Sequence, residues 1–262
     1  MTSAAFSTSK ALPWLAPGQD FPDPALSWGP DDPIAGLLAA GGALDVLSLL
    51  AAYRKGIFPW FSQGQPILWW SPDPRMVLET QRFTLHRSLR RRLQQFRADT
   101  HCQIRFDNAF NTVIHTCAQT PRTGQSGTWI VPDMVEAYTA LHHAGFAHSV
   151  ETWIDGQLAG GLYCTAIGHA VFGESMFTRQ TDASKIALAA LAAFCRAQGI
   201  ERIDCQQNTA HLASLGATEM ARADFIEGLD HACARPAPIW SFEPLYWNEL
   251  LLGSAVQTEE AP

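Results

Sequence analysis

Glu174, Asp204 and Gln206 are the residues whose type is hardest to reconcile with their surroundings. Glu174 stands in "VFGESMF", an apolar run without a neighbouring cation. A charge buried in such surroundings is costly unless a partner meets it. In an extended chain, residues two apart share a face. Phe172, Glu174 and Met176 are therefore expected to project together, with Gly173, Ser175 and Phe177 opposite. The same count over "RIDCQ" sets Asp204 and Gln206 on one face, and Ile203 and Cys205 on the other. A carboxylate beside an amide suits holding an amine, since the first accepts and the second both donates and accepts. Each residue also has a plainer reading. Glu174 could form an ion pair with Arg179 or Lys185, and Asp204 could cap the turn after its strand. Cys205, with a histidine such as His211, has the makings of a thiol nucleophile. Alternation puts it opposite Asp204, so a buried thiol is the expectation.

A second group of residues points to phosphate. In "TLHRSLRRRLQQFRAD" the apolar stripe Leu85, Leu89, Leu93 and Phe96 predicts a helix, with Thr84 as its cap. Its other faces carry Arg87, Arg90, Arg91 and Arg92 without interleaved acids, the pattern of a phosphate-binding stripe. Trp60, Trp69, Trp70 and Trp129 lie within reach in sequence. Tryptophans mostly fill cores, so one or two of these four are expected to line a site by stacking on bases.

These residues need elements to hold them. The first forty residues, rich in proline and glycine, read as loops and turns. "ALDVLSLLAAYRKG" predicts a helix with Leu44, Leu47, Leu50 and Ala51 on one side and Gly56 as its stop. Prolines interrupt "IFPWFSQGQPILWWSPDPR", and the cluster around Asp73 is the expected domain boundary. Beyond the arginine-rich helix come a short strand, "QIRFDN", and two helices. "AHSVETWIDGQLAGGLYCTAIGHAVFGESMFT" follows as a meander of three strands turning at "DGQ" and "AIGH". "DASKIALAALAAFCRAQG" predicts a long helix with Asp182 as cap, leading into the strand "IERIDCQ" and further helices. Strands, then helix, strand and helix give an α+β layer architecture. The divisions are a small N-terminal domain over 1–73, a larger catalytic domain over 74–250 and a loose tail over 251–262.

Composition narrows the class. The 262 residues are 47% hydrophobic and 16% charged, those of a folded globular protein. No stretch of eighteen apolar residues exists to span a membrane, and the N-terminus lacks a signal-peptide pattern. A soluble cytoplasmic protein, taken as a monomer, is expected. Six scattered cysteines form no C-x-x-C pair and there is no H-E-x-x-H, so no metal site is expected. A net charge of −7 argues against indiscriminate nucleic-acid binding, though not against a local basic patch. No Walker loop occurs, and "TRQTDASK" stands where a CoA-dependent acyltransferase would carry its pyrophosphate loop.

The segments "GIFPWF", "ILWWSPDPR", "GTWI", "AHSVETW", "GESMF", "ASK" and "IDCQ", in that order, are highly specific. From about Ala35 to Phe225 the sequence resembles the bacterial leucyl/phenylalanyl-tRNA–protein transferases. The resemblance implies a small N-terminal domain and a larger GNAT-like (acyl-CoA N-acyltransferase) domain that uses no CoA or other cofactor. It implies transfer of leucine, phenylalanine or, less well, methionine from aminoacyl-tRNA to proteins whose N-terminus is arginine or lysine. The product would be marked for N-end rule degradation.

By the same resemblance, Trp60 and Trp129 would contact the 3′-terminal adenosine. Leu162, Met176, Leu188, Leu191 and Ile203 would line the aminoacyl pocket, with Glu174 at that site. Asp204 and Gln206 would attend the reacting groups, and Arg87, Arg90 and Arg91 would take the acceptor stem. The sequence departs from the family pattern at Leu162 and Cys164 of "GGLYC", which alters the expected pocket shape. Gln94 and Gln95 stand where relatives often carry further basic residues. A CoA-dependent N-acyltransferase and a tRNA-binding module without catalysis are the alternatives.

Overall fold

The computed structural model describes residues 11–120 and 130–252. The chain opens with a small sheet: β1 (Trp14–Leu15), β2 (Leu37–Gly41), β3 (Phe58–Pro59) and β4 (Leu68–Trp70), with α1 (Val46–Arg54) between β2 and β3. Its strand order is β1-β2-β4-β3. The strand β2 corrects the expectation of loops through the first forty residues. Its "LLAAG" is buried throughout, so the alternation that would announce a half-exposed strand is missing. The inward face of α1 also differs from the expected one. Leu49, Leu50 and Tyr53 are buried, whereas Leu47 is 79% exposed. With Val46 they form the i, i+3, i+4, i+7 stripe of a helix packed on one side.

The larger part begins at β5 (Arg75–Glu79), followed by α2 (Arg87–Ala98), β6 (Cys102–Phe106), α3 (Phe110–Gln119) and α4 (Pro132–His143). The predicted meander is present as β7 (Ala147–Ile154), β8 (Gln157–Ile167) and β9 (Ala170–Thr178). Then come α5 (Ala183–Ala197), β10 (Arg202–Gln206), α6 (Ala210–Ser214), β11 (Thr218–Met220) and α7 (Arg222–Ala234). One seven-stranded sheet results, in the order β11-β5-β10-β9-β8-β7-β6. The mixed α/β layers and the small N-terminal domain agree with expectation.

Helices cover both faces. On one side α5 is buried from Ile186 to Cys195, its alanines letting the helix axis lie close to the sheet. At the nearest point a Cβ on Gly160 would stand 2.6 Å from that of Ala183, so only glycine fits. Asp182 does not cap α5 by its side chain, which instead pairs with Lys185 at 2.8 Å. The helix α2 packs on the same side through Leu89, Leu93 and Phe96, as predicted, although His86, not Thr84, occupies its N-cap. The other side carries α1, α3, α4 and α7, whose buried residues merge with those of the small sheet.

The strand that opens the sheet is β10. It pairs with β9 in parallel only at Ile203↔Val171 and Asp204↔Phe172, while β9 runs on to Thr178 beside β8. Between the diverging strands lies a gap that both layers can reach.

Candidate active site

That gap is a cleft of about 460 Å³, within the roughly 300–1,000 Å³ common for small-ligand sites. From the α5 layer it takes Leu162, Met176, Leu188, Leu191 and Ile203. From the opposite layer come Phe58, Pro59, Trp60 and Tyr163. Glu174, Cys205 and Gln206 lie where the strands part, and His211 and Leu212 of α6 form part of the rim. Eight of the site residues that the resemblance implies (Trp60, Leu162, Glu174, Met176, Leu188, Leu191, Ile203 and Gln206) thus border one cavity. Trp129 lies outside the described residues. Of the "GGLYC" departures, Leu162 lines the cleft, whereas Cys164 is buried away from it with its thiol 3.7 Å from the His148 carbonyl.

Glu174 sits in a bulge. Gly173 faces Cys164 and Ser175 faces Tyr163, which leaves Glu174 as the extra residue. Phe172 and Glu174 share a face as predicted, because Phe172 packs with Tyr53 and Glu174 bonds to it. Met176 does not share that face: the bulge reverses the alternation and turns Met176 towards α5. It still lines the cleft, since the cleft passes between the strands.

No cation meets Glu174 among the described residues. Glu174 Oε1 accepts from the Tyr53 hydroxyl at 2.6 Å and from Thr165 Oγ1 at 3.2 Å, while Oε2 accepts from Gln206 Nε2 at 3.2 Å. The Tyr138 hydroxyl bonds to that of Tyr53 and stands 3.4 Å from Oε2. Neither expected ion pair forms: Lys185 is with Asp182, and Arg179 donates to Thr116 and the Leu158 carbonyl. Burial pushes the Glu174 carboxyl up from 4.5 to about 7, against the pull of the donors from Tyr53 and Gln206. Burial, then the nearby Glu174 charge, holds both tyrosines well above their ordinary range, so both stay protonated. Tyr53, Tyr138 and Thr165 were not singled out from the sequence. The available signal was a tyrosine on the apolar stripe of each helix, because a buried phenol needs a hydrogen-bond partner.

Asp204 corrects the sequence reading more sharply. It is 2% exposed, and both oxygens face the guanidinium of Arg75, itself 0% exposed, at 2.8 and 2.6 Å. Arg75 also donates to the Gly56 carbonyl at 3.0 Å and lies over the Phe58 and Phe225 rings. Asp204 borders the cavity on the far side of β10, not the cleft. The register slips between Asp204 and Gln206, and Gln206 adopts φ 63°, so the pair does not share a face. Asp204 Oδ1 accepts from the Gln206 backbone N–H at 2.8 Å, which pins that left-handed turn. Through that bond Asp204 holds the turn from which Gln206 reaches the cleft. Cys205 lines the cleft as a neutral thiol, pushed up to about 12 by burial.

The arginine helix approaches the rim by its start. Thr84 N–H donates to the Leu215 carbonyl at 2.8 Å, just past α6, whose His211 and Leu212 line the cleft. Arg87 and Arg91 are exposed, and Arg90 borders a surface cavity of about 600 Å³ with Arg82 and Arg196.

Sequence comparison gives this geometry a family. Residues 77–230 match the family described as leucyl/phenylalanyl-tRNA protein transferase, and residues 42–73 match the N-terminal domain of the same family. The chain belongs to that family. A leucyl/phenylalanyl-tRNA–protein transferase of Polaromonas sp. is 63% identical over 242 residues, covering 92% of this chain and 95% of its own. One from Albidiferax ferrireducens is 58% identical over 247 residues, covering 94% and 97%. Family membership makes the protein an aminoacyltransferase. Among solved structures, a GCN5-related N-acetyltransferase from Kribbella flavida aligns over 66% of this chain and 60% of its own. Its identity is 11% and the TM-score is 0.32. No helix among the described residues is long and apolar enough to cross a membrane.

Proposed function

We propose that this transferase moves leucine or phenylalanine, and methionine less well, from aminoacyl-tRNA to proteins beginning with arginine or lysine. The acceptors then enter N-end rule degradation. The observation that carries the reading is Glu174: a carboxylate at the parting of two strands, held by neutral donors and open to a cleft with an apolar wall.

The reaction is aminolysis of an ester. The acceptor's α-amine attacks the aminoacyl carbonyl carbon, a C–N bond forms, and the bond from that carbon to the ribose oxygen breaks. Amide is more stable than ester, so positioning can supply much of the rate. The aminoacyl side chain lies against Leu162, Met176, Leu188, Leu191 and Ile203, and Trp60 stacks on the terminal adenine. An apolar wall resolves one methylene by only ~1–3 kcal/mol, and Met176 adapts its shape. Tolerance of leucine, phenylalanine and methionine follows.

The amine must attack in its neutral form. With its carboxyl near 7, Glu174 accepts the amine's proton as the C–N bond forms. Gln206 donates to Glu174 through Nε2, and its own amide oxygen is left to accept an amine N–H and fix its approach. The leaving ribose oxygen takes up the proton that Glu174 received. Arg87, Arg90 and Arg91 hold the acceptor stem by its phosphates, and Trp129 joins Trp60 at the adenosine.

Labelled leucine supplied as Leu-tRNA tests the reading, with an arginine-ended peptide as acceptor. Transfer that ribonuclease abolishes supports it. Binding of tRNA without transfer leaves a binding module, and transfer that requires acetyl-CoA leaves a CoA-dependent acyltransferase.

A further inference from the structure

A second cavity, of about 180 Å³, lies on the far side of β10 from the cleft. The start of β9, Arg202 and Asp204 of β10, Gly199 and Glu201 before that strand, and α7 line it. Val171, Phe172, Phe225 and Leu229 give it an apolar floor, each buried. Its volume is below the roughly 300–1,000 Å³ of most ligand sites, so only a small molecule fits.

Its polar groups are unevenly matched. Asp204 is neutralised by Arg75, which leaves Arg202 and Arg235 facing Glu201 alone, with His169 and His231 beside them. Arg235 donates to the Gly199 carbonyl at 3.0 Å. Arg202 is half-buried, and its side chain has no hydrogen bond or ion pair among the described residues. His169 borders the cavity with its ring held by hydrogen bonds to the backbone of Gly199 and Pro236. A half-buried guanidinium without a partner is open to charge-assisted hydrogen bonding with an anion.

We propose that this cavity binds a small carboxylate with an apolar body, of the arylalkanoate class, and that its occupancy acts on the transfer cleft. The carboxylate meets Arg202 and the apolar body covers Phe172, Phe225 and Leu229. Such a ligand touches both strands whose divergence forms the cleft, and it presses on Asp204, which pins Gln206. The coupling rests on the transferase reading; the binding does not.

Phenylacetate titrated calorimetrically into the full chain tests the site, with phenylacetamide as the uncharged control. Saturable phenylacetate binding is expected. It should weaken at least about tenfold for the amide and for Arg202→Met, and recover in part in Arg202→Lys. Undetectable binding, equal binding of the amide, or full binding to Arg202→Met would overturn the site. In transfer assays phenylacetate should change kcat without raising KM for Leu-tRNA, and Arg202→Met should abolish that response at unaltered basal rate. A purely competitive effect places the ligand in the cleft and overturns the proposal. Binding with no change in kcat overturns the coupling. Absence of transfer without phenylacetate contradicts the transferase reading and leaves the binding result standing.

Discussion

The Tyr53 hydroxyl donates to Glu174 Oε1 at 2.6 Å, across 121 positions of sequence. It links α1, beside the small sheet, to the carboxylate at the parting of β9 and β10. The hydrogen bond favours the charged form of Glu174 and opposes the effect of burial.

Tyr53→Phe therefore should raise the Glu174 carboxyl further. A hydrogen bond to a charged group contributes about 1.5–3 kcal/mol, and one pH unit corresponds to about 1.4 kcal/mol. The limb of the kcat–pH profile that reports Glu174 should move up by about one to two units. An unmoved limb shows that the phenol does not stabilise the charge.

The raised carboxyl also makes stability depend on pH. Between about 4.5 and about 7 the folded protein holds a proton on Glu174 that the unfolded chain has released. Stability from this group is full below 4.5 and falls as pH rises towards 7. Glu174→Gln should flatten that segment in urea titrations at several pH values. A parallel offset at every pH would contradict the assignment.

Removing one partner of the buried Arg75–Asp204 pair leaves an unpaired charge or an unmet donor. Asp204→Asn and Arg75→Met should each destabilise by about 3–5 kcal/mol. The double variant should cost less than the sum of the two. In Asp204→Asn, the surviving transfer should keep the wild-type pH profile, because Asp204 acts through Gln206. Loss of a pH-dependent limb would instead make Asp204 the base.

How far these relations can be read without coordinates depends on their range. The meander and α5 carry regular periodicity, and the motif "GESMF" led to Glu174 and Met176, which both line the cleft. Alternation failed at Glu174–Ser175 and at Cys205, because one extra residue reverses a face and leaves no compositional mark. Arg75 stands in a motif noticed at the outset, yet its partner is 129 positions away. Tyr53 and Tyr138 likewise meet Glu174 across 121 and 36 positions. Helix periodicity marks a buried phenol, but not the group it meets.

Met176 tests the apolar wall. Met176→Ala should raise KM for Leu-tRNA and Phe-tRNA and spare the fold, because the side chain is half-buried and borders open space. Unchanged kinetics with both substrates would remove it from the aminoacyl pocket.

The central claim is that Glu174 takes the amine's proton, and single-turnover transfer of leucine by Glu174→Gln tests it most directly. With folding verified by its thermal melt, the variant should lose about 10²–10⁴-fold in rate. Its remaining pH dependence should be that of the acceptor amine, near ~7.7–8.0. Transfer at the wild-type rate, with the wild-type pH profile, would contradict the account.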